Sequence, residues 1–141
     1  MRAWVLYAVA AAILYGLHQV FTKLAANRIG EGVGGVIVET SAAAVIALYL
    51  AALWIFGRWD QSWSLPGIGW SLTTGLCVGL GTIAFFLLFL HGAPLSVVPG
   101  ILGVGSALMV VAGIVVFRES LSVSQGLGVV LSLAGFYLLS R

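Results

Sequence analysis

Charge is what this sequence has least of. Only 7% of its 141 residues are Asp, Glu, Lys or Arg, where a soluble domain carries about 25%. Six basic and four acidic side chains cannot form the hydrated shell of a globular fold of this length. The basic residues are scattered, with no run able to neutralise a row of phosphates, which excludes a nucleic-acid partner. Cys77 is the only cysteine and lies in an apolar run, so neither an intrachain disulfide nor a cysteine metal cluster can form. An HExxH pair, paired aspartates and a nucleophile beside a base are all missing. The expectation is therefore no enzyme, no metal site and no cofactor.

Apolar residues fill the sequence instead, at 62% of the chain with a mean hydropathy of +1.18, and the solvent for such a surface is lipid. Crossing about 30 Å of hydrocarbon takes about 20 helical residues. Charge, Gly and Pro divide the chain into five such segments: Ala3 to Ala26, Gly32 to Phe56, Gly67 to Leu90, Leu95 to Phe117 and Ser122 to Ser140. Residues 1–141 thus predict a single all-α, polytopic transmembrane domain embedded in the bilayer. Met1-Arg2 and Ala8-Val9-Ala10 superficially resemble a cleaved secretory signal. The apolar run continues to Ala26, however, and carries polar residues that a discarded peptide does not need.

The linkers around Asn27, His91 and Arg118 are brief, so consecutive helices are antiparallel neighbours. The longest linker, Gly57 to Pro66, holds Trp59 and Trp63 between Trp54 and Trp70, which suits aromatic anchors at headgroup level. Ser122 with Gln125 three residues on predicts a capping box at the start of the fifth helix. Gly75, Gly79 and Gly81 in the third helix, with Gly100, Gly103 and Gly105 in the fourth, provide surfaces for close backbone approach within or between subunits.

Five crossings place Arg2, Arg58 and Arg118 on one side of the membrane and Lys23, Arg28 and Arg141 on the other. Orientation normally follows an excess of Lys and Arg in cytoplasmic loops. This chain has no such excess, and insertion in both orientations is expected. The alternative is that Arg2 biases the first helix and Lys23, lying inside its helix, does not count.

The first helix carries its polar residues along one stripe: Trp4, Ala8, Ala11, Tyr15, Gln19 and Thr22 recur at steps of three and four, with the small alanines between the polar positions and His18 and Lys23 on the flanks. Glu39 sits about two turns inside the second helix, near the depth of His18, Gln19 and Lys23. A carboxylate there costs about 2.5 to 3.5 kcal/mol on insertion scales and takes a partner or faces an aqueous cavity. Two roles stand open: a substrate or proton site, serving a cationic solute or the amino group of a zwitterion, and a structural ion pair with Lys23. Pro99, followed by Gly100, removes a backbone donor near the start of the fourth helix, predicting a kink or unwound start of the kind that lines transporter cavities.

Several local motifs occur together. Tyr15-Gly16 and Phe21-Thr22-Lys23-Leu24-Ala25 lie in the first helix, and Ala93-Pro94-Leu95-Ser96-Val97-Val98-Pro99 opens the fourth. Phe117-Arg118-Glu119-Ser120-Leu121-Ser122-Val123-Ser124-Gln125-Gly126-Leu127-Gly128 leads into the fifth. Over essentially its whole length the chain resembles the EamA-type domain of the drug/metabolite transporter superfamily. The resemblance implies one five-helix repeat of a ten-helix, inverted-repeat transporter. The partner would be a second copy in the opposite orientation, forming an inverted homodimer, or a paralogous half-transporter. Lys23 falls on the family's Lys near the end of the first helix and Glu119 on its Glu before the fifth, whereas Glu39 has no assignable family position. The expected function is secondary transport of a small-molecule metabolite or amphiphile across the cytoplasmic membrane by alternating access. A non-transporting scaffold or regulatory subunit, or a lipid-carrier flippase subunit, is the alternative.

Overall fold

The computed structural model describes residues 3–139; Arg2, Ser140 and Arg141, which entered the charge count and the fifth-helix boundary, lie outside them. Five α-helices follow in order: α1 Ala3–Ala26, α2 Glu31–Ile55, α3 Leu65–Leu90, α4 Val98–Val115 and α5 Val123–Leu139. No strand occurs among the described residues. The chain is an all-α, multi-pass membrane protein. α1, α2, α3 and the stretch Leu95–Val115 are each long and apolar enough to cross a membrane. α5 has 17 residues, at the lower end of the spanning range of about 17 to 25.

The helix ends are set by local chemistry. α1 closes in a tight turn where the Arg28 and Ile29 amides both donate to Ala25 O, at 2.8 and 3.1 Å, and α2 begins at Glu31, one residue ahead of the expected Gly32. α2 ends in a Schellman arrangement: Gly57 turns left-handed at φ 63°, its amide donates to Trp54 O and that of Arg58 to Leu53 O. α3 starts at Leu65 instead of Gly67 because Ser64 caps it, accepting from the Gly67 amide at 3.1 Å, with Pro66 in the first turn where its missing donor costs nothing. Leu95–Val97 form a 3-10 turn and α4 begins at Val98, so Pro99 again occupies a first turn. α4 stops at Val115, short of Phe117, where the chain hooks back through Arg118 at φ 55° and the Glu119 amide donates to Gly113 O. The capping box before α5 is formed: the Ser122 amide donates to Gln125 Oε1 at 2.8 Å and the Gln125 amide to Ser122 Oγ at 3.3 Å.

The chain divides into two units. One carries α1–α3 and ends at Gly92; the other begins at Ala93 and carries α4 and α5. In the first, Ala26 of α1, Gly34 and Gly35 of α2, and Phe86 and Phe89 of α3 are buried. In the second, Val98, Gly100, Gly103 and Gly113 are the buried residues of α4. A Cβ on Gly103 would lie 3.6 Å from Ser132 O of α5, so this glycine permits close α4–α5 approach. The remaining surface is largely Leu, Ile, Val and aromatic side chains turned outward, which suits lipid and conflicts with water. Several exposed hydroxyls bond to their own backbone, Thr73 to Gly69 O, Thr74 to Trp70 O and Ser132 to Gly128 O, and these three present no unpaired donor to hydrocarbon.

Candidate functional site

Antiparallel α2 and α3 bring Glu39 and Thr82 to one depth. Glu39 lies about two turns after the start of α2 and Thr82 about two turns before the end of α3, each roughly 12 Å into its helix. The Thr82 hydroxyl donates to Glu39 Oε1 at 2.6 Å. Thr82 is buried and Glu39 half-buried. Their neighbourhood is built on small residues. Gly34 is covered by the Phe86 ring, and Gly35 faces Ile83 and Thr82.

Beside the pair, a groove of about 420 Å³ runs between α2 and α3. Glu39 lines it together with Gly35, Val36, Gly75, Gly79 and Ile83. A Cβ on Gly75 or Gly79 would meet nothing within 4 Å. Within the α1–α3 unit these two glycines open space instead of seating a neighbouring helix.

The α1 stripe divides at this depth. Gln19 and Thr22 are buried, at 7% and 3% exposure, whereas Trp4 and Tyr15 face outward at 62% and 69%. Thr22 Oγ1 donates to His18 O at 2.8 Å. His18 Nδ1 and Gln19 Oε1 are buried without a hydrogen-bond partner among the described residues. Lys23 places its ammonium 5.7 Å from the centroid of the Phe89 ring, a cation–π position.

The other sequence candidates lie in the second unit. Pro99 and Gly100 line a cavity of about 420 Å³ with Leu102, Gly103 and Ser106 of α4 and Ser132 and Gly135 of α5. Glu119 borders a separate α4–α5 groove of about 400 Å³ with Ser106, Gln125 and Ser132. Its carboxylate rests over Gly113, where a Cβ would come 2.9 Å from Oε2. No cluster of three His, Cys, Asp or Glu that could hold a metal occurs among the described residues.

Thr82 was missed from sequence. Its signal was its depth: in a chain with short linkers, the hydroxyl two turns from the end of the third helix falls level with the carboxylate two turns into the second.

The family model described as EamA-like transporter family matches residues 2–141. No curated protein and no solved structure matches the chain.

Proposed function

The chain belongs to the EamA-like transporter family, and from that premise we propose that it is a secondary transporter of a small metabolite or amphiphilic solute across the cytoplasmic membrane. Two copies inserted in opposite orientations assemble around the transport path and alternate its access between the two sides. The observation that carries the solute-handling role is the Glu39 carboxylate, hydrogen-bonded by Thr82 and bordering an apolar groove two turns inside a membrane helix. An ionised group at that depth is costly enough to be a functional site by default. The opposite orientation of the two copies is supported by the even distribution of Lys and Arg over the two sides. Inverted repeats related in this way also place transporter binding sites near the middle of the bilayer.

The test is flux in proteoliposomes loaded with a mixture of candidate solutes. Native protein should accelerate equilibration of at least one solute class. Glu39→Gln should abolish that flux while the protein still inserts and purifies normally. If Glu39→Gln transports like the native chain, Glu39 has no part in solute handling. If it fails to assemble, the carboxylate is structural.

A further inference from the structure

Among the described residues, Glu39 is the only charged one lining the α2–α3 groove; the others are Gly, Val, Leu, Ile and Thr40. We propose that this groove binds a small organic monocation with an apolar body, its positive centre against the Glu39 carboxylate and its body along Val36, Leu76, Leu80 and Ile83.

The chemistry narrows the ligand stepwise. An anion would meet an acidic group and no cation. A zwitterion would satisfy its ammonium on Glu39 but strand its carboxylate, because no basic side chain among the described residues lines the groove and an unpaired charge in such surroundings is strongly disfavoured. A bare divalent cation takes about six or more oxygens, whereas the lining offers the carboxylate and the Thr40 hydroxyl. A neutral apolar molecule would fit the walls and leave the carboxylate uncompensated. An organic cation answers both features.

The groove also has the space and the acceptor capacity for such a ligand. Gly32, Gly75 and Gly79 have nothing within 4 Å of a Cβ position, so the absence of three side chains opens it. The Thr82 hydroxyl occupies one acceptor position of the carboxylate, out of roughly four that an ionised carboxylate offers. Thr82 thereby orients Glu39 and leaves acceptor capacity for the ligand.

As an assignment of solute class the proposal rests on the transport reading above, but binding can be measured without turnover. The native chain in lipid nanodiscs is titrated with benzyltrimethylammonium, with neopentylbenzene as its uncharged isostere and phenylalanine as a zwitterion. Saturable binding of the cation at least tenfold tighter than either comparator is expected. Glu39→Gln should lower the affinity at least tenfold, and Glu39→Asp should retain part of it. Gly79→Val, which fills the groove but leaves the carboxylate in place, should lose cation binding as well. Equal binding of phenylalanine, unchanged affinity in Glu39→Gln or in Gly79→Val, or no cation binding to folded native protein would each overturn the assignment. Parallel flux measurements separate the two claims. Cation binding without flux leaves the site standing and removes transport, whereas flux of another solute without cation binding does the reverse.

Discussion

The Phe86 ring of α3 occupies the space that a side chain on Gly34 of α2 would need: a Cβ there would lie 2.5 Å from Phe86 Cε1 and 3.2 Å from Ile29 Cγ2. Phe86 is fully buried and cannot swing away without moving its neighbours. Gly34→Ala should therefore destabilise the α1–α3 unit. Overpacking typically costs about 1 to 3 kcal/mol, against which the helix gains at most about 1 kcal/mol from replacing Gly. The adjacent Gly35→Ala has its nearest neighbour at 3.8 Å and should be neutral or slightly stabilising. Unfolding in mixed micelles with increasing dodecyl sulfate measures both; equal behaviour of the two variants would rule out the Phe86 contact as the cause.

Composition and spacing made the helices legible, since too little charge exists for any soluble fold and the apolar stretches have spanning length. α1 lies over Ala3–Ala26 as expected, and the Ser122–Gln125 box forms. Two of the ends that shifted did so where a local hydrogen bond took over: Ser64 drew the start of α3 back to Leu65, and the hook through Arg118 ended α4 at Val115. The polar stripe of α1 was legible as a stripe but not in its extent. Period alone cannot say that Gln19 and Thr22 meet other helices of the unit while Trp4 and Tyr15 face outward. Thr82 was illegible for a different reason. A hydroxyl in an apolar helix can bond to its own backbone, as Thr73 and Thr74 do, and only the position of α2 gives Thr82 another acceptor.

Thr82→Val keeps the shape of the side chain and removes the donor to Glu39 Oε1. Leaving a half-buried acceptor without its donor costs about 1 to 3 kcal/mol, so the variant should be measurably less stable. Solute flux should fall as the carboxylate loses its orientation. Thr82→Ser restores the hydroxyl and should recover most of both. In a double-mutant cycle with Glu39→Gln, the two changes should be non-additive by about 1 kcal/mol or more. Additive effects would mean that the pair does not act as a unit.

Gln125→Ala removes the side chain that accepts from the Ser122 amide, and Ser122→Ala removes the acceptor for the Gln125 amide. Each should cost about 0.5 to 2 kcal/mol. The effect should be local, appearing as faster hydrogen exchange at the first turn of α5 with little change in α1–α3. Faster exchange spread evenly over all helices would contradict a capping role.

If the proposed topology spreads Lys and Arg evenly over the two sides, orientation should be sensitive to a single added charge. In the topology counted from sequence, the α1–α2 linker and Arg141 share one side, and the α2–α3 connector lies on the other. Reporters fused after Arg141, one active only in the cytoplasm and one only outside it, should give comparable signals for the native chain if it inserts both ways. Asn27→Lys adds a charge to the α1–α2 linker and should shift the signal strongly toward the cytoplasmic reporter; Asp60→Lys in the α2–α3 connector should shift it the opposite way. If activity requires two opposed copies, each variant alone should lose most of its flux because its population points one way. Co-expression should restore it by supplying both orientations. A native chain that labels with one reporter only would remove the inverted homodimer. Variants that change orientation yet keep full flux alone would show that opposed pairing is unnecessary, whereas rescue only on co-expression ties transport to two copies facing opposite ways.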